Sequence, residues 1–319
     1  MARKSPFHRS LLRILGGVVA GIGVVWLVVA QPVIFGNRPS TTSVDPQKLR
    51  RHVERLSLQL SPRDWQHTDN LDKCANYIEE YFRKAGAAVQ SQVFTESGKQ
   101  YRNVIGRFGV GKGSKVVVGA HYDACGSTPG ADDNASGIAA LLELAKLIGK
   151  SPRNREVELV AYVLEEPPFF RGPSMGSAIH AKSIASETPP IQGVIVLEMV
   201  GTFRDEWFSQ SYSLPLLYLL YPNRGNFIAV VGPWDQGAWI KKVKAGMTGT
   251  SDLPVRSIRA PDFVPGVDFS DHMNYWPYGI NALMVTDTAF LRNKAYHAAD
   301  DTPDKLDYPR MAKVVVAVF

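Results

Sequence analysis

Apolar residues along the chain follow two alternating patterns. Short and almost wholly apolar runs are typical of strands buried on both faces of a sheet. These runs occupy residues 114–120, 156–164, 193–198, 227–232 and 281–286. Longer segments have the 3.6-residue periodicity of helices. They lie at 46–60, 71–86, 136–149, 175–186 and 236–246, with a last helix from 308 onward. Residues 87–95 and 101–109 predict a meander or an edge pair of strands.

Strands that alternate with helices predict an α/β fold. We expect a single domain with a mostly parallel mixed sheet, flanked by helices on both faces. The 319 residues are 45% hydrophobic, which is enough apolar material for one core of this size. No repeat or low-complexity block interrupts the pattern.

The N-terminal segment differs from the rest. Residues 14–30 contain no charged side chain, and the apolar character continues through Phe35. A helix of roughly 20 such residues crosses a bilayer. Basic residues precede this run and only Arg38 occurs between positions 31 and 45, which places the N-terminus in the cytoplasm and the domain outside it.

Two interpretations of this segment remain open. An uncleaved transmembrane anchor would hold the domain at the membrane, in the periplasm or outside the cell. A signal peptide cut after Ala30 would release it. In either case the sequence divides into a basic tip with the apolar segment (1–35), a linker (36–45) and the domain itself (46–319).

The net charge and the cysteine content add little to the functional interpretation. The formal net charge of +6 includes four basic residues before the apolar run, so the rest of the chain is nearly balanced. We therefore expect no nucleic-acid partner. The sequence does not decide whether the two cysteines, Cys74 and Cys125, form a disulfide or are free thiols.

Polar residues gather where the predicted strands end. Five sites share this position or border it: His121 and Asp123, Asp132 and Asp133, Glu165 and Glu166, Glu198, and Asp287 with His297. Carboxyl ends of parallel strands meet at one edge of a sheet. A buried carboxylate without a partner costs several kcal/mol. Imidazole and carboxylate groups without thiolate suit Zn2+, so the pattern predicts a zinc site there.

Several segments resemble, in order, the signatures of the di-zinc aminopeptidase family, and in particular its membrane-associated bacterial members. They are "HYDACGSTPGADDNASGIAALLEL", "LEEPPFFRGPSMGS", "LEMVG", "SDHMNYW" and "YHAADDTPDKLDY". The family includes bacterial leucyl aminopeptidases, glutamate carboxypeptidases and glutaminyl cyclases. The resemblance runs from about residue 101 to residue 312. It implies a zinc exopeptidase-like fold and a peptide substrate.

The resemblance also implies roles for individual residues. Two Zn2+ would be held by five side chains: His121, Asp133, Glu166, Glu198 and His297. Asp133 would bridge the ions and precede a cis peptide bond, while Asp123 would orient His121. Glu165 would be the catalytic general base. Glu198 departs from the family, whose better-known members have Asp at this position.

Substrate contacts are less defined by the sequence. Phe169, Phe170, Tyr275 and Trp276 predict either an apolar pocket for the substrate or ordinary core packing. Asp271 and His272 lie close to the site by resemblance. Either they contact substrate or they support the ligands.

The function that these patterns favour is a zinc-dependent exopeptidase, and more narrowly an aminopeptidase that removes N-terminal residues from peptides. Two alternatives stay open. A glutaminyl cyclase uses the same scaffold, and a receptor-like membrane protein without activity is a third possibility on this fold. The oligomeric state does not follow from the sequence.

Overall fold

The computed structural model describes residues 6–32, 36–188 and 191–319, with side chains described from Arg13 onward. The predicted basic tip at Arg3 and Lys4, and the end of the apolar segment at Phe35, lie outside the described residues.

The described part of the chain contains eight α-helices and eight strands. The helices are α1 (Pro6–Val29), α2 (Pro46–Glu54), α3 (Thr68–Lys84), α4 (Gly137–Lys150), α5 (Gly176–Ile184), α6 (Leu217–Leu220), α7 (Gly237–Met247) and α8 (Tyr308–Val318). The strands are β1 (Ala88–Glu96), β2 (Lys99–Phe108), β3 (Lys115–His121), β4 (Glu156–Tyr162), β5 (Gly193–Glu198), β6 (Ile228–Pro233), β7 (Val255–Ala260) and β8 (Ala282–Thr286).

All eight strands form one mixed sheet in the order β1-β2-β4-β3-β5-β8-β6-β7. The four central strands, β4, β3, β5 and β8, are parallel. On one side β2 and β1 continue the sheet antiparallel. On the other, β6 runs antiparallel to β8, and β7 runs parallel to β6. The predicted α/β class and the mixed sheet are therefore confirmed.

One strand was not predicted from the sequence. The segment "VRSIRA" forms β7 at the edge of the sheet, although Arg256 and Arg259 interrupt its apolar character. An edge strand tolerates charged side chains because part of it faces water. This strand lies beside the site described below.

Helices cover both faces of the sheet. The larger apolar cluster joins one face to α2, α3, α4, α7 and α8 through residues such as Ile78, Leu141 and Val315. On the other face, Ile184 of α5 and Tyr275, which lies in a 3-10 segment at Asp271–Tyr278, pack against β3 and β5. Burial on both sides explains why the central strands are apolar almost without interruption.

The end of α1 is fastened to the edge of the sheet. The carbonyl oxygens of Ala30 and Gln31 accept hydrogen bonds from Lys244 Nζ at 2.6 and 3.0 Å, and Ser257 Oγ donates to Ala30 at 2.8 Å. Within the described ranges, no helix combines the length and apolar character needed to cross a membrane.

The two cysteines are free thiols. Cys74 is buried in α3, and Cys125 is half-buried in the loop after β3. The open alternative of a disulfide is therefore not realised.

Candidate metal centre

The predicted site residues converge at the carboxyl ends of the parallel strands. His121 is the last residue of β3, and Glu198 is the last residue of β5. Glu165 and Glu166 follow β4 after two residues. The turn before α4 and the loop beyond β8 contribute Asp133 and His297. All except His297 are buried.

His121 is the centre of one group of three ligand-type side chains. Its Nε2 atom lies 3.3 Å from Asp133 Oδ1 and 3.4 Å from Glu198 Oε2. Glu165 Oε2 is slightly farther from the same nitrogen, at 3.8 Å. Ligand atoms of His121, Asp133 and Glu198 all lie within 4.8 Å of one another, as ligands of a single cation do.

A second group surrounds His297. Its Nε2 atom lies 3.2 Å from Asp133 Oδ2 and 3.1 Å from Glu166 Oε2. The two oxygens of Asp133 thus face different histidines. Asp133 is the only residue shared by the two groups, and the resemblance assigned it the bridging position.

Asp123 contacts the backbone of both adjacent glutamates. Its carboxylate accepts hydrogen bonds from the backbone N–H of Glu165 at 3.3 Å and of Glu166 at 3.1 Å. One of its oxygens also lies 3.5 Å from His121 Nδ1. A single buried carboxylate therefore holds the backbone of the glutamate pair and faces the outer nitrogen of the histidine.

The turn that carries Asp133 is held from several sides. The Asp301 carboxylate accepts hydrogen bonds from the backbone N–H of Asp132 and of Asp133, each at 3.1 Å. The Asp133–Asn134 peptide bond is cis, as the resemblance implies. Asn134 Nδ2 donates to the Leu197 carbonyl at 2.8 Å, which ties the turn to β5. The position of Asp133 is thus fixed independently of any bound ion.

Glu198 is also held by side chains. Ser270 Oγ donates to Glu198 Oε2 at 2.8 Å, and Asn134 Nδ2 lies 3.4 Å from the same oxygen. These contacts direct the longer arm of Glu198 toward His121. The substitution of Glu for the Asp of better-known members is accommodated without displacing the carboxylate from the group.

The electrostatics show how crowded the carboxylates are. Burial raises the pKa of Glu165 well above its ordinary range, and burial together with the charge of Asp133 raises the pKa of Glu166 to about 8. Burial opposes a charge on His297, but its contacts with Asp133 and Glu166 prevail and raise its pKa to about 10. Without a cation, the cluster retains protons to reduce its negative charge.

The residues fit a bound divalent cation. Both ring nitrogens of His121 and Glu166 Oε1 are buried, and they make no hydrogen bond within the described part of the chain. Buried polar atoms without partners are rare in folded proteins. Four ligands arranged tetrahedrally around Zn2+ lie about 3.3 Å from one another. The observed separations of 3.1 to 3.4 Å agree with that spacing.

A cavity of about 190 Å³ opens beside the cluster. Phe170 lines it, whereas the neighbouring Phe169 packs against Trp65 with a ring separation of 5.7 Å. Tyr275 is buried elsewhere, and its hydroxyl lies 2.6 Å from that of Tyr162. Trp276 packs between two apolar clusters. Of the four aromatic residues considered from the sequence, Phe170 is the one at the cavity.

Asp271 and His272 do not line this cavity, and both are fully buried. Burial raises the pKa of Asp271 to about 7 and lowers that of His272 to about 4. His272 Nε2 lies 2.8 Å from the Val267 carbonyl, which keeps the ring in a fixed orientation. The position of His272 favours support of the surrounding loops over contact with substrate.

Three residues near the site were not singled out from the sequence. Arg63 is fully buried, and its guanidinium donates to the carbonyls of Tyr122 and Gly130, which shapes the loop before Asp133. Cys125 lies within 4.8 Å of donor atoms of Glu166 and His297. No local sequence signal marks Arg63, whereas Cys125 lies within the quoted segment that begins at His121. Ser270 directly precedes Asp271 in the quoted "SDH" segment, so it lay within a motif.

The chain is similar to known proteins in sequence and in fold. The chain is 44% identical over 301 residues to the uncharacterized protein YfbL of Escherichia coli K12, covering 92% of each chain. Its fold is similar to that of a zinc aminopeptidase from Bacillus subtilis, with a TM-score of 0.66 and 16% identity over 86% of this chain and 94% of that one. A glutaminyl cyclase from Bacteroides thetaiotaomicron gives a TM-score of 0.66 and 18% identity, covering 88% and 97%.

The family assignment follows from a match to the sequence pattern of a family. The pattern of peptidase family M28 matches residues 103–319, which is most of the domain and contains every residue of the candidate metal centre. This confirms the resemblance drawn from the separate motifs. The chain belongs to peptidase family M28.

Proposed function

We propose that this chain is a zinc-dependent aminopeptidase. One observation carries the proposal: two groups of mostly buried ligand atoms share Asp133, include unpartnered atoms of His121 and Glu166, and border an apolar cavity. Membership of a peptidase family supplies the reaction class. The named zinc aminopeptidase of similar fold supports the narrower activity.

Each of the two groups would hold one Zn2+. His121 and Glu198 would bind the first ion, Glu166 and His297 the second, and Asp133 both. Bound divalent ions supply Lewis acidity, which polarises a scissile carbonyl and lowers the pKa of water toward neutrality. The protein's own contribution is to fix these side chains through Asp123, Asp301 and Ser270.

Glu165 is placed to move the proton. Its carboxylate lies beside His121 and lines the cavity, while its backbone is held by Asp123. In the metal-free protein, burial raises the pKa of this carboxylate. Glu165 therefore accepts the proton of the attacking water and then donates it to the departing amine.

The metal end of the cavity provides an apolar site next to the reacting carbonyl. Phe170 and Phe290 are among the lining residues, and Phe290 packs against Tyr296, whose ring stacks on His297. Desolvation of these surfaces by an apolar side chain of the substrate would contribute roughly 25 cal/mol for each Å² buried. We expect a preference for substrates with large apolar N-terminal residues.

A panel of aminoacyl and peptide substrates tests the proposal. Release of the N-terminal residue, lost after chelation and restored by Zn2+, is the expected result. Cleavage confined to free C-termini would reject the aminopeptidase and retain a zinc exopeptidase. A folded, zinc-loaded protein that hydrolyses no peptide would reject both.

A glutaminyl cyclase is the second candidate, because a cyclase has a fold of the same similarity. It would convert peptides with N-terminal glutamine into pyroglutamyl peptides without shortening them. Mass spectrometry of such a peptide distinguishes loss of ammonia from loss of a residue.

We further propose that the domain works outside the cytoplasm, anchored by its N-terminal segment or released after cleavage. The charge-free run at 14–30 and the basic residues before it support this location. Fractionation of cells that express the full chain or residues 46–319 tests it. Recovery of both forms in the cytoplasm would reject it.

A further inference from the structure

The floor of the cavity is one straight row of residues across the sheet. Glu198 on β5 pairs with Thr286 on β8, Thr286 pairs with Ala229 on β6, and Ala229 pairs with Arg256 on β7. Directly paired residues point to the same face of a sheet. All four line the cavity. The metal centre and Arg256 therefore stand at opposite ends of a single slot.

The length of this slot follows from the strand spacing. Three spacings separate β5 from β7, so the backbones of Glu198 and Arg256 are about 14 Å apart. The neighbouring row on the same face is apolar and consists of Met284, Val231 and Ile258. The slot thus has a carboxylate cluster at one end, apolar walls, and a guanidinium at the other end.

Arg256 has no partner within the described part of the chain. No hydrogen bond or ion pair reaches its guanidinium, and the side chain is exposed. Arg259, three positions along on the opposite face of β7, differs: it donates to the Trp234 carbonyl and lies over the Trp234 ring at 4.7 Å. Arg259 therefore stabilises the fold, whereas the guanidinium of Arg256 is available to a ligand.

Two tyrosines held by hydrogen bonds line the outer end of the slot. Tyr221 lines it and donates its hydroxyl to the Ser257 carbonyl at 2.6 Å. Tyr212 also lines it, and its hydroxyl bonds to the Pro222 carbonyl at 2.6 Å. The first bond fixes Tyr221 next to β7, and Tyr212 lies against Tyr221 with a ring separation of 5.8 Å. Arg256 faces a defined opening and not an unstructured surface.

We propose that Arg256 binds a carboxylate of the peptide substrate, on the part of the chain that leaves after cleavage. A guanidinium and a carboxylate form paired, charge-assisted hydrogen bonds, which makes arginine the best-suited side chain for this contact. An extended peptide spans at most about 3.5 Å per residue, and the Arg256 side chain covers part of the distance, so the carboxylate lies about three residues beyond the scissile bond. The substrates are short oligopeptides with a terminal or side-chain carboxylate at that distance. This inference rests on the proposed peptidase function.

The test uses the zinc-loaded full domain and peptides that begin with leucine and continue with one to five alanines. Each is prepared as the free acid and as the C-terminal amide. For the wild type, the ratio of kcat/KM for acid over amide is expected to reach about tenfold at the favoured length, which corresponds to one charge-assisted hydrogen bond. In Arg256→Gln the ratio of kcat/KM for acid over amide is expected to fall to about one. Arg259→Gln is the matched control and preserves it.

A second set of peptides distinguishes a terminal carboxylate from a side-chain carboxylate. Peptide amides with a glutamate at successive positions after the scissile bond show whether a side-chain carboxylate replaces the terminal one. Acid and amide cleaved at equal rates by the wild type at every length, with no gain from glutamate, would overturn the proposal. Equal losses in both arginine variants would also overturn it.

Binding measured without turnover keeps this inference separate from the proposed function. Calorimetry follows the association of tetra-alanine acid and tetra-alanine amide with the inactive Glu165→Gln protein, alone and combined with each arginine substitution. If no peptide is cleaved but the acid binds more tightly than the amide and only Arg256→Gln removes the difference, the aminopeptidase fails and the carboxylate site stands. If peptides are cleaved but acid and amide bind alike, the carboxylate site fails alone.

Discussion

Two buried clusters of this protein contain the same residue types and have opposite electrostatics. The candidate metal centre combines His121 and His297 with four carboxylates. The second cluster surrounds Glu158 on β4, and we call it the Glu158 cluster. Both hold glutamate and histidine away from water. They differ in where the compensating positive charge comes from.

In the Glu158 cluster the protein supplies the cations. Glu158 Oε2 lies 2.6 Å from Arg107 Nε and 3.2 Å from Lys115 Nζ, and Oε1 lies 3.0 Å from His180 Nε2. The outer nitrogen of His180 lies 2.7 Å from the Tyr275 hydroxyl. Burial by itself would raise the pKa of Glu158, but His180, Lys115 and Arg107 lower it below its usual range.

The metal centre has no such internal compensation. No lysine or arginine forms an ion pair with Asp133, Glu165, Glu166 or Glu198 in the described ranges. A buried carboxylate left without a partner either takes up a proton or needs a cation from outside. The comparison shows that the balance of charge, not the presence of histidine and glutamate, marks a metal site.

The largest expected effect is on catalysis. Replacement of Glu165 by Gln retains the shape of the side chain but removes the proton acceptor. We expect kcat to fall about a thousandfold, within the usual range for a general base, while bound zinc stays at the wild-type level. Steady-state kinetics with elemental analysis measures both. Glu206→Gln, on an exposed residue, is the control, and near-normal turnover of Glu165→Gln would reject the assigned base.

The second-largest effect is expected on stability, from a substitution in the Glu158 cluster. Glu158→Gln leaves Lys115 and Arg107 partly unpaired, and we expect it to lower the free energy of unfolding by about 3 kcal/mol. Zinc content should not change, because the cluster lies apart from the metal centre. Denaturant unfolding of the zinc-loaded protein measures the loss. A variant that keeps its stability but loses zinc would contradict the division between the clusters.

The pH dependence of the metal-free protein tests the crowding of carboxylates in the metal centre. The pKa of Glu166 is raised from 4.5 to about 8 and that of His297 from 6.5 to about 10. Groups with raised pKa stabilise the fold fully below the unfolded value, and this contribution is lost as pH rises through the folded value. With a chelator present, the melting temperature should therefore fall between pH 5 and pH 8. Saturating Zn2+ should reverse most of this decline, and a flat profile with the chelator would contradict the crowding of carboxylates.

The smallest effect is expected from Ser270. Its hydroxyl holds Glu198 by one hydrogen bond of 2.8 Å. Loss of such a supporting contact weakens metal binding by about tenfold in comparable sites. Competition with a chelator of known affinity measures the change in Ser270→Ala, with Ser183→Ala as the control for a serine far from the site. Unaltered affinity in Ser270→Ala would show that Glu198 is held by the fold alone.

The fold was largely predictable because most strands are buried on both faces. Their apolar runs identify them, and the order of strands and helices then fixes the α/β class. β7 was missed because Arg256 and Arg259 break its pattern, and an edge strand does not need the continuous apolar character of a central one.

The candidate site was predictable as far as the topology places residues at strand ends. The choice between Phe169 and Phe170 was not, since adjacent residues point in different directions and only packing decides which one faces the cavity. Arg63 is likewise found only in three dimensions, because it contacts a loop about sixty residues farther along the chain. Sequence patterns identify ligand types, whereas the contacts that hold them depend on tertiary structure.

Metal content of the purified protein tests the central claim most directly. If the unbalanced carboxylates exist to hold dications, elemental analysis of the wild type should find two zinc ions per chain, and Asp133→Asn should lose both while the Glu158→Gln protein keeps them. A folded and active wild-type protein that contains no divalent metal, even after incubation with Zn2+, would contradict the account.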